Sequence, residues 1–516
     1  MLNEIVAEGF DNPRTVLSVA LTATALFAFY RRWKASRELK LPFLKFEDGD
    51  DSRQRYVAES GKLLKLGYEK YLKHGKAFAM RNYIDELSPQ VYLPLKYLDE
   101  FKAAHESELS FPYFSELLFS QNEIGMAKVT EEASHVMRTD LIRNLPTIIA
   151  GVKAECSAIF DKMIPLTPDW TPVTPYPIFA FAVARLSARV IGAPELGKND
   201  EWLGICLSFT QKSMEAAHAL RASWPPYTRW AARWFSPAVK IVLADRKRAT
   251  EIITPVLEVR RQASKLPLEK RPRFNDGVQW LMEHYDAQNR KLTPEILTEH
   301  ELFLAVASIH SSSSITLSIL YDLLDEKHVD AKKEILDEIE AVSNEYPSWT
   351  RPAVAKLLKL DSFMKESQRL HFMGHARVTR AARVPFTFAD GLHLPRGTMA
   401  QVLHSGPQTD PEFYENPETF DPWRFLHKRE TIDPYKFQFA SLSNIETTFG
   451  AGFHACPARN YAADTLKLIL VHLLTTYDIK YAKESQTRPL DVNHDNATLP
   501  DFTTELLFKG KNPPSG

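Results

Sequence analysis

Apolar residues recur at helical spacing along most of the chain between residues 50 and 370, and proline or glycine marks the breaks. The clearest long element follows Thr293, which suits an N-cap, and Pro294, which suits a first helical turn. No glycine or proline interrupts the pattern until well past Leu324. We therefore predict one helix of about 30 residues, about 45 Å long, that crosses the core.

The centre of this predicted helix is unusually polar. The stretch "ASIHSSSSIT" places His310 and a run of four serines, residues 311–314, where core residues are expected. Serine hydroxyls can bond back to helix carbonyls and bend the helix. One interpretation is a tolerated polar stripe against another helix or a solvent channel. The other is a local opening that lets water and a small ligand approach the helix.

The pattern changes after residue 380. "VPFTFADGLHLPRGTMAQVLHS" alternates between apolar and polar positions and contains an Asp390–Gly391 turn signal, which predicts a small β-sheet. A segment rich in proline and aromatic residues follows, and we expect an extended, ordered loop there. The last 40 residues indicate another short strand pair. The prediction is a mainly α fold with a small β part, in one domain over residues 36–516.

The N-terminal region has a different character. From Thr15 to Tyr30 the chain carries no charge, and the basic segment "RRWK" follows at once. A cleaved signal peptide, a buried core helix and a membrane anchor are the three interpretations. Positive charge after the apolar run holds the downstream chain on the cytoplasmic side, which favours the anchor, within residues 1–35.

The composition is that of a globular protein without a disulfide framework. Apolar residues make up 44% and charged residues 25% of the 516 positions, enough for a large core. The net charge of −1 excludes bulk attraction to nucleic acid. The three cysteines, Cys156, Cys206 and Cys456, form no disulfide framework and no paired metal-binding spacing. A reducing compartment is expected.

The segment around Cys456 carries the most specific chemistry. A nucleophilic cysteine needs a histidine base, and His454 is only two residues away, so its side chain points elsewhere. A zinc site lacks further cysteines at ligand spacing. A haem-thiolate site fits better, because Gly450 and Gly452 permit a tight turn close to a flat macrocycle. The helix predicted to follow, with Pro457 in its first turn, directs its positive end at the sulfur.

Residues 449–459, "FGAGFHACPAR", closely resemble the haem-binding signature of the cytochrome P450 family. Phe449, Gly452, His454 and Cys456 match its positions, and Ala458 replaces the usual glycine. The resemblance implies the cytochrome P450 fold with an N-terminal membrane-anchor helix.

Further landmarks of that family follow in the expected order. Glu366 and Arg369 match its Glu-x-x-Arg helix, and Arg424 in "FDPWRF" matches the arginine that completes a buried network with them. "LPRGT" at 394–398 matches a sheet segment, and the N-terminal run matches the anchor of microsomal members. The resemblance therefore covers nearly the whole chain.

The resemblance implies haem b, iron protoporphyrin IX, with Cys456 as the axial thiolate ligand. His454 is expected to hydrogen-bond a haem propionate. Arg380 is the candidate for a second propionate partner, with Arg377 as its rival, and Arg138 is a candidate for a third. The family also uses O2 and takes electrons from NADPH through NADPH–cytochrome P450 reductase.

One motif departs from the family pattern. The long helix of the family usually carries an acid followed by threonine, which relay protons to bound dioxygen. His310 and Ser311 stand at those positions here. Serine keeps a hydroxyl and histidine can carry a proton near neutral pH, so the two are the expected catalytic residues of an altered relay.

The implied function is oxidation of an apolar small molecule in fungal secondary metabolism: hydroxylation, desaturation or rearrangement. The implied location is the endoplasmic reticulum membrane, single-pass, with the catalytic domain in the cytosol. No nucleic-acid partner is expected. A haem-thiolate isomerase and a non-catalytic haem-binding sensor remain alternatives. Residues 213–230, residues 371–375 and Phe502 are the expected further walls of the substrate pocket.

Overall fold

The computed structural model of the chain describes residues 39–81, 89–482 and 487–511. The predicted membrane anchor, within residues 1–35, lies outside these ranges. The helices are α1 Arg53–Lys70, α2 Leu98–Ala103, α3 Phe111–Phe119, α4 Gln121–Ile124, α5 Glu131–Val136, α6 Ile142–Met163, α7 Pro175–Ser187, α8 Asp200–Ser223, α9 Ala232–Phe235, α10 Pro237–Ser264, α11 Gly277–Ala287, α12 Pro294–Leu324, α13 Val329–Glu345, α14 Arg351–Ala355, α15 Leu358–Leu370, α16 Ser405–Gln408, α17 Arg424–Thr431 and α18 Arg459–Thr476.

The strands are short, and they confirm the predicted mainly α fold with a small β part. They are β1 Phe43–Leu44, β2 Phe78–Met80, β3 Gln90–Leu93, β4 Leu109–Ser110, β5 Thr171–Val173, β6 Ala376–Ala382, β7 Phe386–Thr387, β8 His393–Leu394, β9 Met399–Leu403, β10 Tyr477–Tyr481, β11 Val492–His494, β12 Ala497–Leu499 and β13 Leu506–Gly510.

Helix α12 is the predicted long helix. It spans 31 residues, and the Thr293 side chain accepts a hydrogen bond from the amide of Ile296, as expected of an N-cap. The helix packs against α7, α8, α10, α13, α15 and α18. Among the described residues it is the one helix long and apolar enough to cross a membrane, but half of that window is buried in the protein. It is therefore a core helix, because six other helices pack against it.

The serines at the centre of α12 do not break the helix. Ser311 donates to the Ala307 carbonyl and Ser313 donates to the Ile309 carbonyl, both at 2.7 Å. Each hydroxyl that bonds back to the helix removes the cost of a buried, unpaired polar group. The polar centre therefore remains helical within the core.

Two distant parts of the chain build the largest sheet. Its strand order is β1-β2-β3-β9-β6-β4, with β3 parallel to β9, so residues 90–93 pair with residues 399–402. The predicted turn at Asp390–Gly391 lies between the antiparallel strands β7 and β8, and Gly391 has the positive φ of 92° that such a turn requires. Near the C-terminus, β11 pairs with β12 and β13 lies between β10 and β5.

A buried ionic cluster ties the end of α12 to the end of α15 and to the C-terminal segment. His371 lies between two carboxylates, with Nε2 3.3 Å from Asp322 and Nδ1 2.8 Å from Asp491. Arg488 forms ion pairs with the same two carboxylates at 2.7 and 2.9 Å. Burial by itself lowers the pKa of His371, but Asp322 and Asp491 outweigh it and raise that pKa to about 9.

This cluster predicts a loss of stability at alkaline pH. The folded-state pKa of His371, about 9, lies above its ordinary value of 6.5. Its contribution is therefore complete below pH 6.5 and is lost as the pH rises through about 9. We expect the urea midpoint to fall across this range in the wild type and to fall less in His371→Gln. An equal fall in both proteins would contradict the assignment.

Candidate active site

The loop before α18 presents Cys456 to a cavity. The amide of Cys456 donates to the Phe449 carbonyl at 2.7 Å, and the amide of Gly450 donates to the Thr447 carbonyl at 2.8 Å. Gly450 and Gly452 have φ values of 77° and 65°, which other residues rarely adopt. The predicted tight glycine turn is therefore present, and it folds the segment back so that the sulfur reaches the cavity wall.

The helix after the loop begins later than expected. The prediction that Pro457 lies in its first turn is wrong, because α18 begins at Arg459 with Ala458 at the N-cap position. Burial raises the pKa of the Cys456 thiol, whereas the Ala458 amide, Arg459 and Arg377 act to lower it. A metal ion that binds a thiol deprotonates it outright, so these groups would support a bound thiolate.

The cavity has a volume of about 580 Å³, within the range of sites for small molecules and cofactors. One stripe of α12 forms part of its wall: Ala307, Ser308, Ser311, Ser312 and Ile315. These positions repeat at i, i+1, i+4, i+5 and i+8, which is one face of a helix. Phe449 and Cys456 also line the cavity, so the α12 stripe and the cysteine loop form walls of the same cavity.

Gly452 acts in the loop and not at the cavity surface. It is absent from the residues that line the cavity, unlike its neighbours Ala451 and Phe453. A Cβ atom added there would lie 3.0 Å from the Cβ of Lys102. The glycine is thus required for its positive φ and for the close approach of α2.

Two arginines of β6 line the cavity with unpaired nitrogen atoms. The Nε atom of Arg377 and the Nη2 atom of Arg380 are buried and have no hydrogen-bond partner among the described residues. Burial lowers the pKa of Arg380 to about 10. An odd separation in a strand puts side chains on opposite faces, but a register shift between Ala376 and Val378 lets both arginines reach the cavity.

Two further basic side chains, those of Arg138 and His454, lie at the same wall. Arg138 lies in the π-helical turn Met137–Leu141, with its guanidinium 4.2 Å from the Phe453 ring centroid and its Nη1 donating to the Phe453 carbonyl. The Nε2 atom of His454 lies 2.8 Å from the Oε2 atom of Glu106. Sequence reasoning missed Glu106, since no local motif connects an acid in the loop before β4 to a histidine in the cysteine loop.

These residues fit a haem group. A thiol on the cavity wall offers a ligand to the iron, and the unpaired Nε atom of Arg377 and Nη2 atom of Arg380 offer donors to carboxylates. Cys456, Arg377 and Arg380 all line the same cavity of about 580 Å³.

His310 and Ser311 point in different directions. Ser311 lines the cavity, whereas His310 does not. The Nδ1 atom of His310 lies 3.0 Å from the hydroxyl of Tyr176, whose ring stacks on Phe502 at 3.7 Å. Burial lowers the pKa of His310, which favours the neutral imidazole. Consecutive helical residues differ by about 100°, so the spacing in the sequence already separates these two side chains.

The residues Glu366, Arg369 and Arg424 meet as one buried network. Arg369 donates to both Glu366 oxygens at 2.8 and 2.9 Å, and the Nε atom of Arg424 lies 3.1 Å from Oε1. The remaining guanidinium nitrogens donate to backbone carbonyls of the loop 408–419. The network therefore fastens α15 and the start of α17 to this loop.

The three expected further walls do not line this cavity. None of the residues 213–230, 371–375 or Phe502 is among its lining residues. Phe502 instead packs on Tyr176. The lining comes mainly from α3, α5, the turn Met137–Leu141, α7, α12, α15, α18, β6 and the cysteine loop, with Glu106 from the loop before β4.

Comparison with known proteins gives consistent matches. A family model described as cytochrome P450 matches residues 147–508. Cytochrome P450 monooxygenase cheE of Chaetomium globosum is 38% identical, covering 98% of this chain and 98% of that protein. Cytochrome P450 monooxygenase ccsG of Aspergillus clavatus is 41% identical over 92% of this chain and 93% of its own length.

A third relative carries a more specific name, and one solved structure shares the fold. Pyrichalasin C-7 hydroxylase of Pyricularia grisea is 34% identical over 91% of this chain and 92% of its own length. The structure of retinoic acid-bound cyanobacterial CYP120A1 has a TM-score of 0.64 and 17% identity, covering 92% of this chain and 99% of that one.

Proposed function

This chain belongs to the cytochrome P450 family, and we propose that it is a monooxygenase of fungal secondary metabolism that hydroxylates an apolar molecule related to pyrichalasin. Family membership makes it an oxidoreductase that uses haem iron, O2 and electrons from a reductase. The observation that carries the proposal is one cavity lined by Cys456, by two arginines that each have a buried nitrogen without a partner among the described residues, and by the hydroxyl stripe of α12. The substrate class follows the name of the pyrichalasin C-7 hydroxylase.

We assign the site residues by what each can bind. Cys456 would ligate the iron of haem b through its sulfur, and Arg377, Arg380 and His454 would hold the carboxylate groups of haem. Phe449 packs edge-to-face on Phe439 at 5.6 Å and supports the cysteine loop. Bound there, haem supplies activation of O2 with two electrons and two protons, so that one oxygen atom enters a C–H bond and the other leaves as water.

The substrate contacts are mainly apolar. Phe303 and Leu304 of α12 extend the stripe along the cavity wall. Val183 of α7 and Ile191, just after α7, line the same cavity. Such walls exclude water and hold an apolar molecule by its shape, which selects the C–H bond that is oxidised. The hydroxyls of Ser308 and Ser312 are the polar groups of this stripe that can fix an oxygen atom of the substrate.

The same proposal assigns proton delivery to Ser311, supported by His310. Of His310 and Ser311, only Ser311 lines the cavity. We expect Ser311→Ala, which removes this hydroxyl, to lower the amount of product formed per O2 consumed about tenfold or more. His310→Ala is expected to have a smaller effect, because its ring contacts Tyr176 and does not line the cavity. Oxygen electrode traces with product analysis measure both ratios. If product formed per O2 consumed is unchanged in Ser311→Ala, Ser311 has no part in proton delivery. If it is unchanged in His310→Ala, His310 has none.

The activity is tested with purified full-length protein, NADPH–cytochrome P450 reductase, NADPH and a pyrichalasin-type substrate under ¹⁸O2. We expect one ¹⁸O atom in the product and no product without NADPH. Turnover that needs neither NADPH nor reductase would instead indicate an isomerase. A reducible haem with no turnover of any such substrate would indicate a binding or sensor protein.

We further propose that the protein resides on the endoplasmic reticulum membrane with its catalytic domain in the cytosol. The uncharged run before "RRWK" supports an anchor. A second support is the short helical segment between α8 and α10, where four aromatic side chains are more than half exposed: Tyr227, Trp230, Trp234 and Phe235. Arg229 and Arg233 lie among them, and aromatic residues with arginine suit the lipid headgroup region.

The aromatic segment is tested after removal of residues 1–35. We expect the shortened protein to sediment in part with phospholipid vesicles, and serine at the four aromatic positions to abolish that binding. The matched control places serine at Ile432 and Tyr435, which are exposed elsewhere on the surface. Equal sedimentation of both variants would contradict the proposal.

A further inference from the structure

An acidic side chain lies among the basic residues that line the cavity. Glu106 lies between α2 and β4 and lines the cavity together with His454 and Arg380. Its Oε2 atom is 2.8 Å from His454, and its Oε1 atom accepts a hydrogen bond from the Ser110 hydroxyl. Nothing in the local sequence singles it out, because its partners come from β4, β6 and the cysteine loop.

Glu106 is an anion in this setting. Burial by itself raises its pKa, but His454, Ser110 and Arg380 together lower it below its ordinary value. The carboxylate is not fully enclosed, with 39% of its side chain exposed. Its charge is therefore partly screened by salt.

The contact with His454 is a close approach of 2.8 Å between its Nε2 atom and the Oε2 atom of Glu106, without good hydrogen-bond geometry. The Oε2 atom is buried and has no aligned hydrogen-bond donor among the described residues. The Nη2 atom of Arg380 is also unpaired, although Glu106 is close enough to affect its pKa. The Arg380 guanidinium is therefore not saturated by Glu106, and its Nη2 atom keeps a donor for a second anion.

We propose that Glu106 positions His454 and Arg380 for the carboxylate groups of haem, and that its negative charge lowers the reduction potential of the iron. The inference rests on the proposed function, since it needs haem at Cys456. Reduction adds an electron to the site, and a nearby carboxylate opposes that added negative charge. Charge and hydrogen bonding around a haem are among the means by which a protein sets its potential.

The experiment measures the midpoint potential of the full-length haem protein by spectroelectrochemical titration. Glu106→Gln keeps an oxygen acceptor for His454 and Ser110 but removes the charge. We expect a shift to more positive potential, largest at low ionic strength, because the screening length falls from about 30 Å at 0.01 M salt to about 3 Å at 1 M. Glu106→Asp keeps the charge and is expected to stay near the wild-type value.

Glu108→Gln is the matched control. It removes the same charge two residues away, from an exposed side chain that does not line the cavity. Glu106→Met provides a second neutral variant if the glutamine variant folds poorly. Equal potentials in wild type, Glu106→Gln and Glu106→Met would overturn the inference. A wild-type protein without thiolate-ligated haem would count against the proposed function instead, so the two failures are distinguishable.

Discussion

We expect Cys456→Ser to lose the strongly red-shifted Soret band of the reduced, carbon monoxide-bound protein and to lose hydroxylation completely. The thiolate donates electron density that favours cleavage of the O–O bond, and a serine hydroxyl does not replace it. The loop should still form, because its hydrogen bonds between Cys456 and Phe449 and between Gly450 and Thr447 use backbone groups alone. Absorption spectra and product analysis of the two purified proteins measure the change.

Cys156→Ser and Cys206→Ser are the controls for this prediction. Both cysteines are buried and free, and neither lines the cavity that contains Cys456. Their substitution costs some packing energy but leaves the sulfur ligand in place, so the red-shifted band should persist. A wild-type protein that binds no haem, or a Cys456→Ser protein that keeps the band, would refute the assignment of the ligand.

The second large effect is expected at the buried carboxylate of α15. Glu366→Gln leaves the guanidinium groups of Arg369 and Arg424 without a counterion in a site where the Glu366 side chain is fully buried. Breaking a buried ion pair by removing one partner costs about 3–5 kcal/mol. That cost is a large share of the free energy of unfolding of about 5–15 kcal/mol, so we expect little soluble protein. Soluble yield and the urea midpoint measure it.

Glu334→Gln is the matched control for the buried carboxylate. Glu334 forms an ion pair with Lys359 at 2.7 Å, but both side chains are more than one third exposed. Exposed pairs contribute about 0–1 kcal/mol, so this variant should be close to wild type. Equal destabilisation by the two glutamine variants would show that burial does not set the cost.

The sequence pattern located the polar part of α12 but not the contacts of its two candidate residues, His310 and Ser311. The polar stretch identified the part of α12 that matters, and the structure places Ser311 at the cavity. The partner of His310 is Tyr176, 134 residues earlier in the chain, and no local spacing encodes that contact. The role of His310 in proton delivery stays a prediction, with the oxygen-coupling experiment as its test.

The placement of the two arginines of β6 also depends on contacts that are distant in the sequence. Counting along the sequence leaves Arg377 as a rival of Arg380 for the second propionate partner. Regular strand alternation would put residues three apart on opposite faces. The bulge in β6 brings both to the cavity. The bulge arises from the pairing of β6 with β9, a contact between strands that periodicity within one strand does not reveal.

By itself the sequence determined the features that depend on neighbouring residues: the long helix capped by Thr293, the glycine turn before Cys456, the hairpin at Asp390–Gly391 and the family resemblance. Each is set by backbone preferences and side-chain spacing over a few positions, so local chemistry suffices to predict it. Only the tertiary structure decided which polar groups share the cavity. The position of Glu106 beside His454 depends on the packing of segments more than 300 residues apart, and long-range packing sets both its charge and its partner.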